Sequence, residues 1–412
     1  MDDVSATGVA AETAARHCYG KLVAFLAART GNVSAAEDAL SDAFAAALAD
    51  WPTSGVPRNP EAWLMAVAKR RLVDAARRRR TQGAAADHLR VMTEELNEVV
   101  DTDIPDRRLG LMFACAHPAI EPAMRAPLML QTILGFDAAA IASAFLVSPA
   151  TMGQRLVRAK QKIRQSGIPL RVPERADMAE RLDAVLGAIY ATYGAGWSEP
   201  GNLVDEAVWL GRLVVALLPN EAEGLGLLAL MLHAEARRGA RRDTDGGYVP
   251  LGEQDTALWD AAMIDEAELL LRRASALGVI GRYQLEAAVQ SVHAARRVSG
   301  RTDWRAVEVL YEALAAITDS PVVTINRAVA IAEMRGIEAG LACLDTLAVD
   351  PRLTEYQPYW AARADLFARV GAIDAADDAY QRAIGLTSDP AERAFLQRRR
   401  ANLLHEPLAA DR

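Results

Sequence analysis

An all-α fold is what this sequence of 412 residues predicts. Apolar residues make up 51 % of the chain, and they recur at the three- and four-residue spacing of helices instead of alternating as in strands. A chain of this length exceeds one compact core, so we expect several helical domains. No run of about eighteen apolar residues occurs, and the acidic N-terminus lacks the pattern of a secretion signal. We therefore expect a cytoplasmic protein without membrane spans.

Two helices open the predicted first domain. Residues 12–30 carry an apolar side that includes Leu22 and Phe25, and Gly31 ends this helix. The spacing Ser34–Glu37 is typical of a capping box and starts the second helix. The second helix has apolar residues at four-residue spacing, which we expect to be buried: Leu40, Phe44 and Leu48. Its polar side, which we expect to be exposed, consists of Glu37, Asp38, Ser41 and Asp42.

A third helix is strongly basic. Asn59 is a predicted N-cap and Pro60 takes the first helical position, so the helix runs from Glu61 to about Arg80. Apolar residues including Trp63 form its inner side. Basic residues that cover its outer side and its end are Lys69, Arg70, Arg71 and Arg77–Arg80. The helix dipole favours some of these cations, but four successive arginines exceed that need and indicate phosphate contact.

Charge is unevenly distributed along the chain. The net charge is −8, yet residues 1–168 hold 20 Lys/Arg against 18 Asp/Glu, whereas the remainder holds 26 against 36. Residues 58–80 and 138–173 are basic, and residues 87–106 between them carry seven acidic groups and one arginine. Two basic segments separated by an acidic linker indicate a nucleic-acid-binding protein despite the acidic overall charge.

A short helix pair is predicted over residues 136–165. Asp137 can cap its first helix, and Ser148 with Pro149 begins the second. Met152, Leu156 and Ile163 face a core. The outer face of the second helix is polar and basic: Thr151, Gln154, Arg155, Arg158, Lys160 and Lys162. This pattern is typical of a helix-turn-helix that enters the major groove, and a solvated helix hairpin is the alternative.

The remaining 240 or so residues form a predicted helical extension. Its longest polar break contains a glycine-rich turn, Asp245, Gly246, Gly247 and Tyr248, which we interpret as a contact or regulatory loop. Units around Gly336 and Gly371, 35 residues apart, match the spacing of tetratricopeptide repeats. Such stacked helix pairs form a concave face suited to a peptide or protein partner, although an inert helical stack has the same pattern.

No motif for enzymatic chemistry occurs in the sequence. Phosphate-binding loops, zinc-protease motifs and nucleophile elbows are absent, and the three cysteines fit neither a disulfide framework nor a zinc site. Cys115 and His117 lack further ligands, so core packing is the better interpretation. We expect a non-enzymatic protein with no cofactor and no metal.

Three segments of the sequence resemble segments of one protein family, and they occur in the same order as in that family. AEDALSDAF (Ala36–Phe44) resembles the AEDLVQEVF segment of bacterial sigma factors of the extracytoplasmic-function class. AWLMAVAKRRLVDAARRRR (Ala62–Arg80) resembles the family's helix for the −10 promoter element, and ATMGQRLVRAKQKIR (Ala150–Arg164) resembles its −35 helix. The chain departs from the family at Ser41, Asp42 and Arg70, where Gln, Glu and Asn are usual. GIPLRVPE (Gly167–Glu174) resembles a segment of one subgroup of these sigma factors, the large members with a C-terminal tetratricopeptide-type extension.

The resemblance implies a role for each segment. Polymerase binding, at the β′ clamp helices, is implied for Asp38, Ser41 and Asp42. Binding of the −10 element is implied for Asn59, Trp63, Lys69, Arg70, Arg77 and Arg78. Binding of the −35 element is implied for Ser148, Thr151, Gln154, Arg155, Arg158 and Lys160, in a domain that would also meet the β flap. The arginines and Lys160 suit phosphates, and Thr151 and Gln154 suit base edges.

The resulting prediction is a sigma factor that directs RNA polymerase core to promoter DNA. Its predicted parts are a region 2 domain, an acidic linker, a region 4 domain, a helical extension and terminal repeats: 12–80, 81–106, 107–168, 178–300 and 301–404. The acidic extension is expected to regulate the basic domains. The alternative is a helix-turn-helix regulator with a repeat-type sensor that does not bind polymerase. A scaffold that has lost DNA binding is disfavoured by Arg155, Arg158 and the Arg77–Arg80 run.

Overall fold

A computed structural model describes residues 18–80, 105–145, 147–174, 176–196 and 203–405. Throughout these ranges the regular structure is helical, apart from one isolated β-bridge between Arg242 and Tyr248. The all-α prediction is therefore confirmed. The chain divides into two compact units, Met1–Leu210 and Gly211–Arg412, which are described in turn. The predicted linker lies mostly outside the described residues, as does the start of the first helix.

The first unit contains eight described helices before the one that crosses the boundary. The helix α1 covers residues 18–30. The others are α2 (Val33–Ser54), α3 (Pro60–Arg80), α4 (Arg108–Cys115), α5 (Pro122–Leu134), α6 (Ala138–Ala144), α7 (Pro149–Gln165) and α8 (Met178–Ala195). The helix α9 (Leu203–Leu217) spans the boundary between the units.

The helices α1 to α3 share one apolar core. Leu22 and Phe25 of α1 are buried, as predicted, and Trp51 of α2 is 1 % exposed. The N-cap of α2 is Asn32, whose Oδ1 accepts from the Ala35 N–H at 3.2 Å. The predicted capping box of Ser34 does not form, because the helix begins at Val33 and Ser34 lies inside its first turn; the Glu37 carboxylate pairs with Lys160 of α7 instead.

A second group of helices, α4 to α8, follows the undescribed linker residues. Asp137 caps α6 through the Ala140 N–H at 2.8 Å, and Ser148 caps α7 through the Thr151 N–H at 3.2 Å. Both caps were predicted from the sequence. After α7 the chain returns to α4, where a Cβ on Gly110 would lie 2.9 Å from the Arg171 backbone. The helix α8 packs on the same group, and Arg181 donates to the Phe113 carbonyl at 3.1 Å.

The second unit continues as a stack of helices. After α9 come α10 (Ala222–Glu235), α11 (Ala261–Ala276), α12 (Arg282–Ala294), α13 (Arg296–Ser299), α14 (Trp304–Ile317), α15 (Pro321–Arg335), α16 (Ile337–Asp345), α17 (Gln357–Arg369), α18 (Ile373–Leu386) and α19 (Pro390–His405). The helix α10 is buried along its whole length between α11 and α12.

Close packing of α10 on α12 depends on a glycine, Gly226, and on a half-buried acid, Glu223. A Cβ on Gly226 of α10 would lie 2.6 Å from the Gln284 nitrogen, so only glycine allows this approach. The Glu223 carboxylate accepts from the backbone N–H groups of Tyr283 and Gln284 at 2.9 and 3.2 Å. It therefore satisfies donors that the first turn of α12 would otherwise leave unpaired.

The repeat spacing corresponds to helix pairs. Gly336 lies between α15 and α16 and Gly371 between α17 and α18, and both have positive φ, at 102° and 80°. A Cβ on Gly340 of α16 would lie 2.6 Å from the Ala332 Cβ of α15, so this pair is in close contact.

Acid is expected to destabilise the second unit because two histidines are held there in neutral form, His233 buried and His293 half-buried. Burial, and then the charge of Arg237, lower the pKa of His233 to about 4; the pKa of His293 also falls to about 4, by burial, Arg237 and Arg296. The unfolded chain binds protons near pH 6.5, so protons favour unfolding as the pH falls from about 7 toward 4. At pH 5 each histidine should cost about 2 kcal/mol of stability.

Hydrogen exchange of the α10 amides, corrected for intrinsic rates, measures this loss on the intact chain. The variant His233→Gln should roughly halve the decrease in protection between pH 7 and pH 5. A decrease of unchanged size in that variant would show that His233 is not the responsible group.

Candidate functional site

The polar side of α2 contains both exposed and buried residues. Asp38, Ser41 and Asp42 are exposed, as predicted, and Asp42 Oδ2 lies 3.9 Å from Arg71 Nε of α3. Glu37 is only 8 % exposed, which corrects the expectation that it faces solvent. The helix therefore presents two aspartates and a serine, and directs its glutamate inward.

The basic helix α3 begins as predicted. Asn59 Oδ1 accepts from the Ala62 N–H at 3.0 Å, and Trp63 is half-buried with its ring edge against Trp51 at a centroid distance of 5.5 Å. Lys69 is half-buried with Nζ 5.8 Å from the ring centre of Phe25. Burial, and then the charge of Arg29, lower the pKa of Lys69.

The outer side of α3 carries charge that is available to a ligand. Arg70 and Arg71 are exposed. The side chains of Arg77 and Arg78 lie outside the described residues, although the helix itself continues to Arg80.

One face of α7 remains open. Thr151, Gln154, Arg155 and Arg158 are all exposed, and their spacing places them on one side of the helix. Neither arginine forms an ion pair with a described residue of the chain. The opposite side of the helix, which includes Met152 and Leu156, is buried. The arrangement can present two cations and two hydrogen-bonding side chains to the same partner.

Lys160 does not belong to this face, which corrects its prediction as a phosphate contact. It follows Thr151 by nine residues, about two and a half helical turns, so it lies on the other side of α7. Its Nζ donates to Glu37 Oε2 of α2 at 2.6 Å, and its side chain is 9 % exposed. The periodicity of α7 alone could have excluded Lys160, but the sequence carried no signal for its partner.

A cleft of about 620 Å³ lies between α2, α3 and α7. Asp38 and Asp42 of α2 line one wall. Val157, Gln161 and Arg164 of α7 line the other. The predicted polymerase-binding acids therefore lie beside the predicted DNA-reading helix.

The glycine-rich loop of the extension is a small hairpin. Asp243 Oδ1 accepts from the N–H groups of Asp245 and Gly247 at 3.0 and 2.6 Å, and Gly246 has a φ of 81°. Tyr248 packs edge-on against Phe395 of α19 at a centroid distance of 5.4 Å. The tight turn is as predicted.

Two contacts that the sequence did not reveal hold this loop and the segment after it. Arg242 forms an ion pair with Asp389, just before α19. Arg296 donates to the carbonyls of Leu251 and Gln254 at 2.9 and 2.8 Å, while its guanidinium lies 5.0 Å from the ring centre of Trp259.

Among the residues that the structure describes, no helix is both long and apolar enough to cross a membrane. The same residues contain no group of three or more metal-binding side chains.

Comparison with known proteins assigns two segments. Residues 14–82 match the model of Sigma-70 region 2, and residues 181–275 match a family of unknown function, DUF6596. An uncharacterized protein of Rhizobium meliloti (strain 1021) is 37 % identical over 389 residues, which cover 91 % of this chain and 92 % of that protein. No solved structure matches the chain. The chain therefore belongs to one family with the Rhizobium meliloti protein, and residues 14–82 of it form a segment similar to Sigma-70 region 2.

Proposed function

We propose that this protein is a sigma factor of the extracytoplasmic-function class, which directs RNA polymerase core to specific promoters. The observation that carries the proposal is the Sigma-70 region 2 match over residues 14–82. The exposed face of α7 supports it, because a second DNA-binding element is what a two-domain promoter factor requires.

The helix pair α6–α7 acts in this proposal as the helix-turn-helix for the −35 element. Arg155 and Arg158 contact phosphates, and Thr151 and Gln154 reach base edges from the first turns of α7. Ser148 fixes the start of the helix through its cap. N-terminal residues of a recognition helix are the ones that approach bases, which agrees with this order.

The helix α3 contacts the −10 element. Its exposed Arg70 and the arginines near its end supply charge, and the half-buried Trp63 supplies an aromatic surface for an unstacked base. The exposed acids of α2 bind the β′ clamp helices of the polymerase, and the α4–α7 domain meets the β flap. The extension, with its tetratricopeptide-like helix pairs and the 245–248 loop, regulates promoter use and offers its repeat face to a protein or peptide.

Transcription in vitro tests the proposal. Core polymerase is supplied with this protein as its only specificity factor, on a pool of genomic fragments, and transcript starts are mapped. Initiation from a defined subset with shared −10 and −35 sequences is the expected result. Core polymerase that starts no more often with the protein than without it would contradict the function.

Removing the charges of Asp38 and Asp42 should weaken polymerase binding about tenfold. Exposed ion pairs contribute roughly 0.2–1 kcal/mol each, and two together account for this change. The double variant Asp38→Asn/Asp42→Asn is compared with wild type by titration of labelled protein with core polymerase. Asp50→Asn, an exposed acid near the end of the same helix, is the matched control. Equal affinity of the double variant and the control would remove these residues from the interface.

A further inference from the structure

A cavity of about 550 Å³ lies within the second unit, between α11, α12 and α14. Most of the side chains that line it are apolar: Leu271, Val279, Ile280, Leu285, Val292 and Leu310. Sites for small molecules have volumes of roughly 300–1,000 Å³ and are lined mainly by apolar groups, with a few polar groups that fix the orientation of the ligand. The cavity therefore has the size and the lining of a small-molecule site.

The loop between α11 and α12 leaves apolar surface exposed at this cavity. Val279 and Ile280 are 61 % and 76 % exposed. Covering such side chains with an apolar group removes their surface from water, which favours binding in proportion to the area covered. The loop therefore offers surface that an apolar ligand can cover.

One carboxylate lines the cavity, and its position is fixed. Ser291 of α12 donates a hydrogen bond from its Oγ to Glu268 Oε1 of α11. The other carboxylate oxygen, Glu268 Oε2, accepts no hydrogen bond from a described residue. A carboxylate held in this way has one oxygen available to a charged donor, and such charge-assisted hydrogen bonds are the strong ones.

No lysine or arginine among the described residues forms an ion pair with Glu268. His233 Nε2 of α10 lies 3.4 Å from Glu268 Oε1, but burial, and then the charge of Arg237, lower the pKa of His233 to about 4, so the ring is neutral at pH 7. Arg237 itself donates to Gln290. Arg272 also lines the cavity, but it is exposed, so water screens its charge. The Glu268 carboxylate therefore remains available to a cation from outside the chain.

We propose that this cavity binds a small molecule with an apolar body and a protonated amine, whose ammonium group pairs with Glu268 while its body covers the apolar walls. The walls supply most of the affinity, and the carboxylate selects the charge and fixes the orientation of the ligand. The inference does not depend on the proposed function, because it concerns binding to the second unit alone.

Three probes with the same phenylbutyl body test the charge preference: 4-phenylbutylamine, 4-phenylbutanol and 4-phenylbutyrate. The full-length protein is titrated with each at pH 7, and binding is followed by saturation-transfer NMR. The amine should bind with a Kd of about 1 mM, which is ordinary for a ligand of about eleven non-hydrogen atoms. It should bind about tenfold more tightly than the alcohol, through its hydrogen bond to a charged group, and the carboxylate probe should bind least. Absence of amine binding, or amine binding no tighter than that of the alcohol, overturns the inference.

Removing the charge of Glu268 tests its role directly. Glu268→Gln keeps the length of the side chain and an acceptor for Ser291, so it should weaken amine binding about tenfold and leave alcohol binding unchanged. Asp265→Asn, at an exposed acid of α11 that does not line the cavity, is the matched control and should bind the amine as wild type does. An equal loss in both variants would show general attraction of the amine to an acidic chain, and would overturn the inference. Circular dichroism checks that helix content is unchanged in each variant.

Methyl NMR locates the bound amine. The methyl signals of Ile280, Leu285 and Val292 should shift on titration, whereas that of Val349, which is exposed and does not line the cavity, should not. Ile280→Ser changes an exposed side chain and leaves the core intact, so it should weaken binding of both the amine and the alcohol. Equal shifts at Val349 and at the cavity residues would indicate adventitious binding to exposed apolar side chains and would overturn the site.

Discussion

Replacing Arg155 and Arg158 with glutamate should lower promoter binding by about 100-fold or more. Hydrogen bonds to charged groups contribute roughly 1.5–3 kcal/mol each, and two of them lost account for at least this factor. Both side chains are exposed on the same face of α7, and neither is paired with a described residue. Since the face takes no part in the core of the domain, the loss should be in binding and not in folding.

The measurement is a titration of promoter DNA with holoenzyme at several salt concentrations. Replacing the two arginines with alanine instead should reduce the slope of log K against log salt concentration by about two. That change corresponds to about two fewer counterions released and identifies both arginines as phosphate contacts. Arg301→Glu, an exposed arginine of the extension, is the control for a general charge effect. If the control and the α7 variant lose the same affinity, non-specific electrostatics explains the change and the assigned face is wrong.

Replacing Trp51 with alanine should destabilise the α1–α3 domain by about 4 kcal/mol. The side chain is 1 % exposed, and truncation of a buried tryptophan costs roughly 3–5 kcal/mol through lost contacts and the cavity left behind. Trp63 of α3 rests on this ring, so its orientation should change as well. Promoter opening should therefore decline together with stability.

Hydrogen exchange of the α2 and α3 amides in the full chain measures the local loss. Trp51→Phe retains most of the buried area and should cost no more than about half as much. A small and equal loss in both variants would show that the Trp51 site collapses without a cavity, and that Trp63 is positioned by other contacts.

The sequence predicted the local features of this fold well. The sequence predicts the caps at Asn59, Asp137 and Ser148 because a capping bond is local. Each side-chain oxygen accepts from the backbone N–H three residues later in the chain. The burial of Leu40 followed from its spacing. The same spacing predicts that Leu48 is buried, but this side chain is 54 % exposed. A straight four-residue row drifts around a helix, so its last member leaves the buried side.

Contacts between distant segments could not be predicted in the same way. The sequence places Glu37 on the polar side of α2, as a surface acid. Its burial is explained by its ion pair with Lys160, which lies 123 residues later in the chain. The docking of the 245–248 loop depends on Asp389 and Phe395 in the same manner. Periodicity assigns a face to a residue, whereas the partner of that face is set by tertiary packing.

The contact of the hairpin with α19 also sets an order of events during synthesis. Arg242 and its partner Asp389 are 147 residues apart, so the hairpin leaves the ribosome well before the helix that secures it. At about 5–20 residues per second, this interval is roughly 7–30 s. Throughout that time α1 to α7 are already available to fold. The nascent chain can therefore fold α1 to α7 before the hairpin can pack onto α19.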